Sequence, residues 1–180
     1  MKITTNNSPQ ILQFGVSMIE NDELYHSCMW GVVNLDLKNG IMSACTDCGD
    51  YAYRWPETDE MFLKLMATVD SEYLLRKIAR RIEFDLEGTI NIIIDIFDDD
   101  EEYQNRLRKF FTDYDYVYDS NDFLSSIEEW DNDDLLADID LYECLVYDYH
   151  PQAKTFVKIF TEYIQPEIKK YLEKDKNNEL

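Results

Sequence analysis

Few side chains in this 180-residue chain are suited to chemistry. His26 and His150 are the only histidines, and four cysteines, Cys28, Cys45, Cys48 and Cys144, offer thiol chemistry or metal ligation. A lone histidine is more often structural than catalytic. Cys45-Thr46-Asp47-Cys48 is half of a zinc signature, and a structural zinc needs a second pair of ligands. His26, Cys28, Cys144 and His150 supply them only if the fold gathers them. Asp47-Cys48-Gly49-Asp50 is also a good turn, so ordinary buried or turn cysteines are the simpler expectation. No Gly-x-Ser-x-Gly elbow, Gly-rich phosphate loop or His-Glu-x-x-His helix occurs. Asp113-Tyr114-Asp115 begins like a calcium loop, but Val117 takes a ligand position and Tyr118 the required glycine. Asp131-Asn132-Asp133 fails in the same way at Leu135 and Leu136. The expectation is no catalytic residue, no cofactor and no dedicated metal site.

What the chain has in abundance is carboxylate. From Asp95 to Asp148 there are 19 Asp/Glu against Arg106, Arg108 and Lys109, a local net charge of −16 out of −21 for the whole chain. Self-repulsion of that size destabilises a compact state and calls for a cationic partner. Residues three or four apart on a helix lie about 5–6 Å apart at Cβ. Duplex DNA carries one charge per about 1.7 Å of axis. Carboxylate rows at helical spacing therefore imitate one phosphate strand, and neighbouring aromatics such as Tyr114, Tyr116 and Trp130 add anchors. The candidate partner-binding residues are Asp98, Asp99, Asp100, Glu101, Glu102, Asp113, Asp115, Glu128, Glu129, Asp131, Asp133 and Asp134. The competing expectation is a solvated acidic face. The mildly acidic N-terminal third argues against a general adaptation spread along the chain. The one basic cluster, Arg76, Lys77, Arg80 and Arg81, is expected to pair with neighbouring acids.

These residues need a scaffold, and the composition can provide one. Apolar residues make up 45% of the chain and aromatics 14%, too much for a disordered acidic tail. The fold class expected is α+β: an N-terminal antiparallel β-meander packed by a mostly helical C-terminal two-thirds. The chain reads as a single domain, with a β part over 1–56, a helical part over 57–173 and a frayed tail over 174–180. Ile11–Ile19, Tyr25–Leu37, Ile41–Cys45 and Tyr51–Trp55 have strand character, Asn39-Gly40 marks a hairpin, and Pro56 ends the sheet. Helices are expected after caps at Thr58 or Asp59, Asp70 or Ser71, Asp85, and Ser120 or Asn121. The β-branched run Ile92-Ile93-Ile94 belongs to the helix capped by Asp85. Asp98–Glu102 opens a helix that buries Tyr103, Leu107, Phe110 and Phe111, and a short acidic helix follows near 133–139. Leu145-Val146-Tyr147 reads as extended. Pro151 starts a terminal helix that Pro166 kinks or restarts.

No apolar stretch approaches the roughly 20 residues that span a bilayer, and the N-terminus has no apolar signal core. The charge disfavours anionic membranes and free nucleic acid. A cytoplasmic protein with reduced cysteines is expected.

Cys48-Gly49-Asp50-Tyr51-Ala52-Tyr53-Arg54-Trp55, then Phe62-Leu63, then Tyr73-Leu74-Leu75-Arg76-Lys77-Ile78 resembles a family of small phage and prophage proteins. Its members share a Gly-x-Tyr-x-Tyr-x-Trp strand, a Phe-Leu helix and a Tyr-Leu-Leu-x-Lys helical turn. Tyr147–Phe156 is similar to that family's entry to its terminal helix. The resemblance spans residues 25–97 and 145–172 and carries no activity with it. It implies a phage accessory protein acting in the host cytoplasm. By analogy with acidic phage proteins of similar size, the leading expectation is a non-enzymatic inhibitor. It would occupy a basic groove of a host nucleic-acid-binding defence protein, a CRISPR or restriction nuclease, as a partial DNA mimic. The alternatives are a module that meets a protein partner through the Tyr51/Tyr53/Trp55 strand and, third, a carboxylate-site metal-dependent enzyme.

Overall fold

The computed structural model describes residues 10–97, 101–113, 117–130, 136 and 139–178, without the side chains of residues 111, 113 and 175–178. Its first four elements are strands: β1 (Ile11–Ser17), β2 (Trp30–Asp36), β3 (Ile41–Thr46) and β4 (Gly49–Arg54). They pair antiparallel in sequence order, as the alternating pattern predicts. The register aligns rows across the sheet on its buried face: Leu12, Leu35, Met42 and Tyr53 in one, Phe14, Val33, Ala44 and Tyr51 in the next. Because side chains alternate faces, every second residue of each strand enters the same core. The expected second strand is shorter than its apolar run, since Tyr25–Ser27 form turns.

Gly40 closes the β2–β3 turn at φ +63°. A Cβ there would stand 2.2 Å from the Glu57 carbonyl oxygen and 2.6 Å from that of Trp55. The turn therefore needs glycine for its backbone and for space. Trp55, just past β4, is 1% exposed.

Helices α1 (Asp59–Thr68) and α2 (Ser71–Ile78) follow. Thr58 holds the α1 cap position without a side-chain cap bond, whereas the Asp70 carboxylate accepts the Tyr73 N–H at 2.8 Å. Near the C-terminus, α7 (Pro151–Ile159) leads through a π-helical turn (Phe160–Ile164) into α8 (Gln165–Asn178). Pro151 is the first residue of α7, where its missing N–H costs nothing. The disturbance expected at Pro166 takes the form of that π turn, in which the Gln165 N–H donates to the Phe160 carbonyl. A proline ring clashes with the carbonyl four residues back, and the wider turn ahead of it relieves the crowding. The buried Gln165 side chain donates to the Val69 carbonyl at 2.7 Å, satisfying the exit of α1. Helix α8 runs past Lys174, where the sequence suggests a frayed tail, to Asn178.

The chain divides into two compact units. Unit 1 is Met1–Arg80 with Tyr149–Leu180, and unit 2 is Arg81–Asp148. The change from strand to helix near residue 56 is thus not the boundary between compact parts. One core cluster, centred on Leu35, Met42, Trp55, Phe62, Met66 and Phe156, gathers the sheet and the helices of unit 1.

Unit 2 contains α3 (Leu86–Ile96), α4 (Glu101–Asp113), α5 (Ser120–Trp130) and α6 (Leu141–Cys144). Its core holds Ile93, Leu107, Phe123 and Ile127, all fully buried. Strand β5 (Arg81–Phe84) pairs with β6 (Tyr147–Tyr149) in a two-stranded sheet. Arg81-Ile82-Glu83-Phe84 alternates polar and apolar, but over four residues only, too short a run to announce β5 between two helices, and the extended segment expected at 145–147 sits two residues later, in β6. Asp85 caps α3 through the Gly88 N–H at 2.9 Å, and Ile92-Ile93-Ile94 is helical as expected. The cap of α5 is Asp119, which accepts the N–H groups of Asn121 and Asp122 at 2.7 and 3.0 Å, one residue before the expected Ser120. The acidic helix expected over 133–139 lies mostly outside the described residues.

No helix among the described residues is long and apolar enough to cross a membrane.

Candidate functional site

Unit 2 separates the charge more sharply than the linear sequence does. Arg81–Asp148 holds 22 Asp/Glu against four Arg/Lys, a net of −18, which leaves −3 for all of unit 1. Part of that acid serves the backbone. Asp85, Asp119 and Asp140 cap helix starts, and Asp122 accepts the Tyr118 N–H. Carboxylates suit these helix starts because the first-turn N–H groups lack partners and carry the positive end of the helix dipole.

Four of the twelve predicted contact residues have described side chains, and all four are exposed: Glu101 and Glu102 at the start of α4, Glu128 and Glu129 at the end of α5. Tyr103 and Trp130 join these two helix ends, with ring centroids 5.6 Å apart. Each glutamate pair immediately precedes one of those rings in sequence. Phe110 also meets the Trp130 ring at 5.4 Å, and the Arg106 guanidinium lies over it at 5.8 Å. Tyr103 and Leu107 are buried as the sequence predicts, and Phe110 is half-buried. Asp98, Asp99, Asp100, Asp115, Asp131, Asp133 and Asp134 lie outside the described residues, as does the side chain of Asp113. Both calcium-loop-like segments fall there too.

Two groups of side chains singled out in the sequence find partners within unit 1. Tyr51 and Tyr53 are half-buried on the face of β4 that packs against the core, while Asp50, Ala52 and Arg54 are exposed on the other face. The Tyr51 ring stacks on Phe156 at 4.6 Å and its hydroxyl donates to the Cys48 carbonyl, while Tyr53 packs edge-on against buried Trp55. Their period of two places these rings toward the core, so they hold the sheet to its helices. Of the basic cluster, Arg76 and Lys77 sit on α2. Both lie over tyrosine: Arg76 is 5.7 Å from the Tyr73 centroid, and Lys77 is 5.2 Å from Tyr53 and 5.3 Å from Tyr73. Helical spacing brings Arg76 and Lys77 over Tyr73, and ring faces attract cations.

The cysteines also regroup. Cys45 is exposed, and its hydrogen bond with Asp50 raises its thiol pKa. Cys48 is fully buried, and its neighbour is Cys28, from the β1–β2 connection. Cys144 belongs to unit 2. The Cys45-x-x-Cys48 spacing is therefore not a pair of ligands: Cys45 and Cys48 differ in burial and in partners. A signal for the Cys28–Cys48 meeting is missing from the local sequence, because 20 positions separate them.

Unit 1 also carries a groove of about 540 Å³ beside β1, lined by Phe14, Val16, Met18, Tyr163, Ile164 and Tyr171 among others. Its charged lining residues include Glu167 and Lys170, which pair with each other at 2.6 Å.

No curated protein and no solved structure matches the chain. The family comparison does find a match: residues 10–170 fit Phage_phiTE_072, a phage family, across both compact units. That span covers the aromatic strand and the terminal-helix entry that suggest a phage protein in the sequence, and the chain belongs to this phage family.

Proposed function

We propose that the protein is a non-enzymatic, phage-encoded inhibitor that acts in the host cytoplasm. Its target is a host nucleic-acid-binding defence protein, of the CRISPR or restriction-nuclease kind, whose basic groove unit 2 occupies as a partial DNA mimic. The observation that supports this most is the charge of −18 held within one compact unit of a phage-family protein. Glu101, Glu102, Glu128 and Glu129 provide exposed carboxylates on the two helix ends that the Tyr103–Trp130 contact joins. Such an array draws a cationic groove by long-range attraction and competes with phosphate for the same lysines and arginines.

The test is capture of partners from bacterial lysate by the tagged full chain, at low and at high salt, with mass spectrometry of what salt releases. The expected partner is a basic nucleic-acid-binding protein released by salt and displaced by duplex DNA. Replacing Glu101, Glu102, Glu128 and Glu129 together by lysine should abolish its capture. A partner retained at high salt and indifferent to the four substitutions overturns the proposal.

A further inference from the structure

In unit 1, one sulfur comes from the connection between β1 and β2, and a second sulfur and a carboxylate come from the turn between β3 and β4. The Sγ atoms of Cys28 and Cys48 and a carboxylate oxygen of Asp47 all lie within 4.8 Å of one another. We propose that Cys28, Asp47 and Cys48 form a binding site for one thiophilic divalent cation of the zinc class, which fastens the β1–β2 connection to the β3–β4 turn.

The donor set fits that chemistry. Two thiolates and a carboxylate are ligands that zinc accepts in a tetrahedral shell, and hard cations such as calcium do not choose sulfur. Zinc–sulfur bonds of about 2.3 Å set neighbouring ligand atoms roughly 3.8 Å apart. The three atoms therefore need to close by about 1 Å at most. Cys28 and Cys48 are 2% and 0% exposed, while Asp47 is exposed, so the carboxylate side is the entry and leaves a fourth position for water. Asp47 is already oriented: its two oxygens accept the Met29 N–H at 2.8 Å and the Trp30 N–H at 3.4 Å. Such outer bonds hold a ligand in place before the ion arrives. Asp47 also serves the fold as acceptor for Met29 and Trp30, so the metal reading rests on the mutual proximity of the three ligand atoms.

The proton balance follows from the unliganded state. A cysteine thiol, with an ordinary pKa of about 8.5, carries its proton near neutral pH. A carboxylate such as Asp47, with an ordinary pKa of about 3.9, is ionised there. When the cation binds, each sulfur–hydrogen bond gives way to a sulfur–metal bond and each proton passes to solvent. Asp47, already ionised, releases none, and no electron moves. Uptake therefore releases about two protons per ion and strengthens as pH rises.

The experiment titrates the reduced full chain with Cd²⁺, and separately with Zn²⁺, under a non-thiol reductant. The expected result is one ion per chain, an ultraviolet sulfur-to-cadmium charge-transfer band and release of protons. Cys28→Ser and Cys48→Ser should each lose the band, while Cys45→Ser and Cys144→Ser keep it. Asp47→Asn retains an oxygen for the Met29 N–H and so preserves the turn, yet should weaken binding by roughly tenfold or more. This variant carries the test should the serine variants not fold. A reduced wild type without the band, a band that depends on Cys45 and not on Cys28, or undiminished affinity in Asp47→Asn would each overturn the proposal.

Discussion

Raising ionic strength should stabilise unit 2 selectively. A compact unit of 68 residues has a radius of gyration of about 11 Å, so 18 excess charges over its surface stand roughly 10–12 Å from their nearest like neighbours. Two unit charges about 10 Å apart in water repel by about 0.4 kcal/mol. With a Debye length of about 30 Å at 0.01 M and about 8 Å at 0.15 M, that pair term falls to about 0.3 and about 0.1 kcal/mol respectively. Summed at one such neighbour per excess charge, the salt step relieves roughly 3 kcal/mol of repulsion in the folded unit. The more expanded unfolded segment keeps part of the same repulsion, which leaves about 2 kcal/mol of net stabilisation. That corresponds to about a thirtyfold drop in the opening equilibrium. Hydrogen exchange read by mass spectrometry follows each unit through its own peptides. Amides of α3 and α5 should slow by about that factor between the two salt concentrations, while amides of β2 and β3, in a unit of net charge −3, change little. Equal gains in both units, or a larger gain in unit 1, would refute the reasoning, because the effect depends on the charge being concentrated in one part.

Three more outcomes follow from the cores and turns. Phe123 is fully buried against Phe84, ring centroids 5.6 Å apart, so Phe123→Ala should cost about 3–5 kcal/mol in urea unfolding and strip exchange protection from unit 2. A loss below about 1 kcal/mol would mean that the site collapses around the smaller side chain. Gly40→Ala should lower stability by about 2 kcal/mol or more in thermal melts, since its φ of +63° and the Glu57 and Trp55 carbonyls leave no place for a Cβ. Gly15→Ala, with nothing within 4 Å of its added carbon, is the matched control and should be near neutral. Burial, helped by the neighbouring Cys48, Cys28 and Asp50, pushes the Tyr51 hydroxyl up to about 12 from its ordinary value of 10.0. The folded state thus holds this proton after the unfolded state has lost it. The stability it contributes is present below about pH 10 and is lost as pH rises toward about 12. Tyrosinate absorbance should show a late-titrating group that Tyr51→Phe removes.

Much of the scaffold is legible along the chain because its causes are local. Alternation in β1 to β4 and the helical offsets of Phe62 and Met66 mark which faces are buried. Asp70, Asp85 and Pro151 announce helix starts because capping depends on residues three or four apart. The rest has one source. Strand β5 has four residues and exists by pairing with β6, some 60 residues away. Arg76 and Lys77 look like partners for acids in a charge count, but Tyr53 and Tyr73 stand closer at hand. The Tyr51/Tyr53 alternation is visible in the sequence, yet it does not say which face of β4 the helices cover. That is decided by Phe156, more than a hundred residues on.

By itself the sequence determined the acidic excess, its confinement to the second half, the meander and most of the helix starts. Each depends on composition or on neighbours within a turn or two of chain. Only the tertiary structure decided that residues 81–148 form a compact unit of their own, that Tyr103 of α4 meets Trp130 of α5, and that Cys48 meets Cys28 and not Cys45. These are meetings between distant segments. Their free energy comes from burying whole faces together, and no spacing rule written along the chain encodes which distant side chains such burial brings within reach.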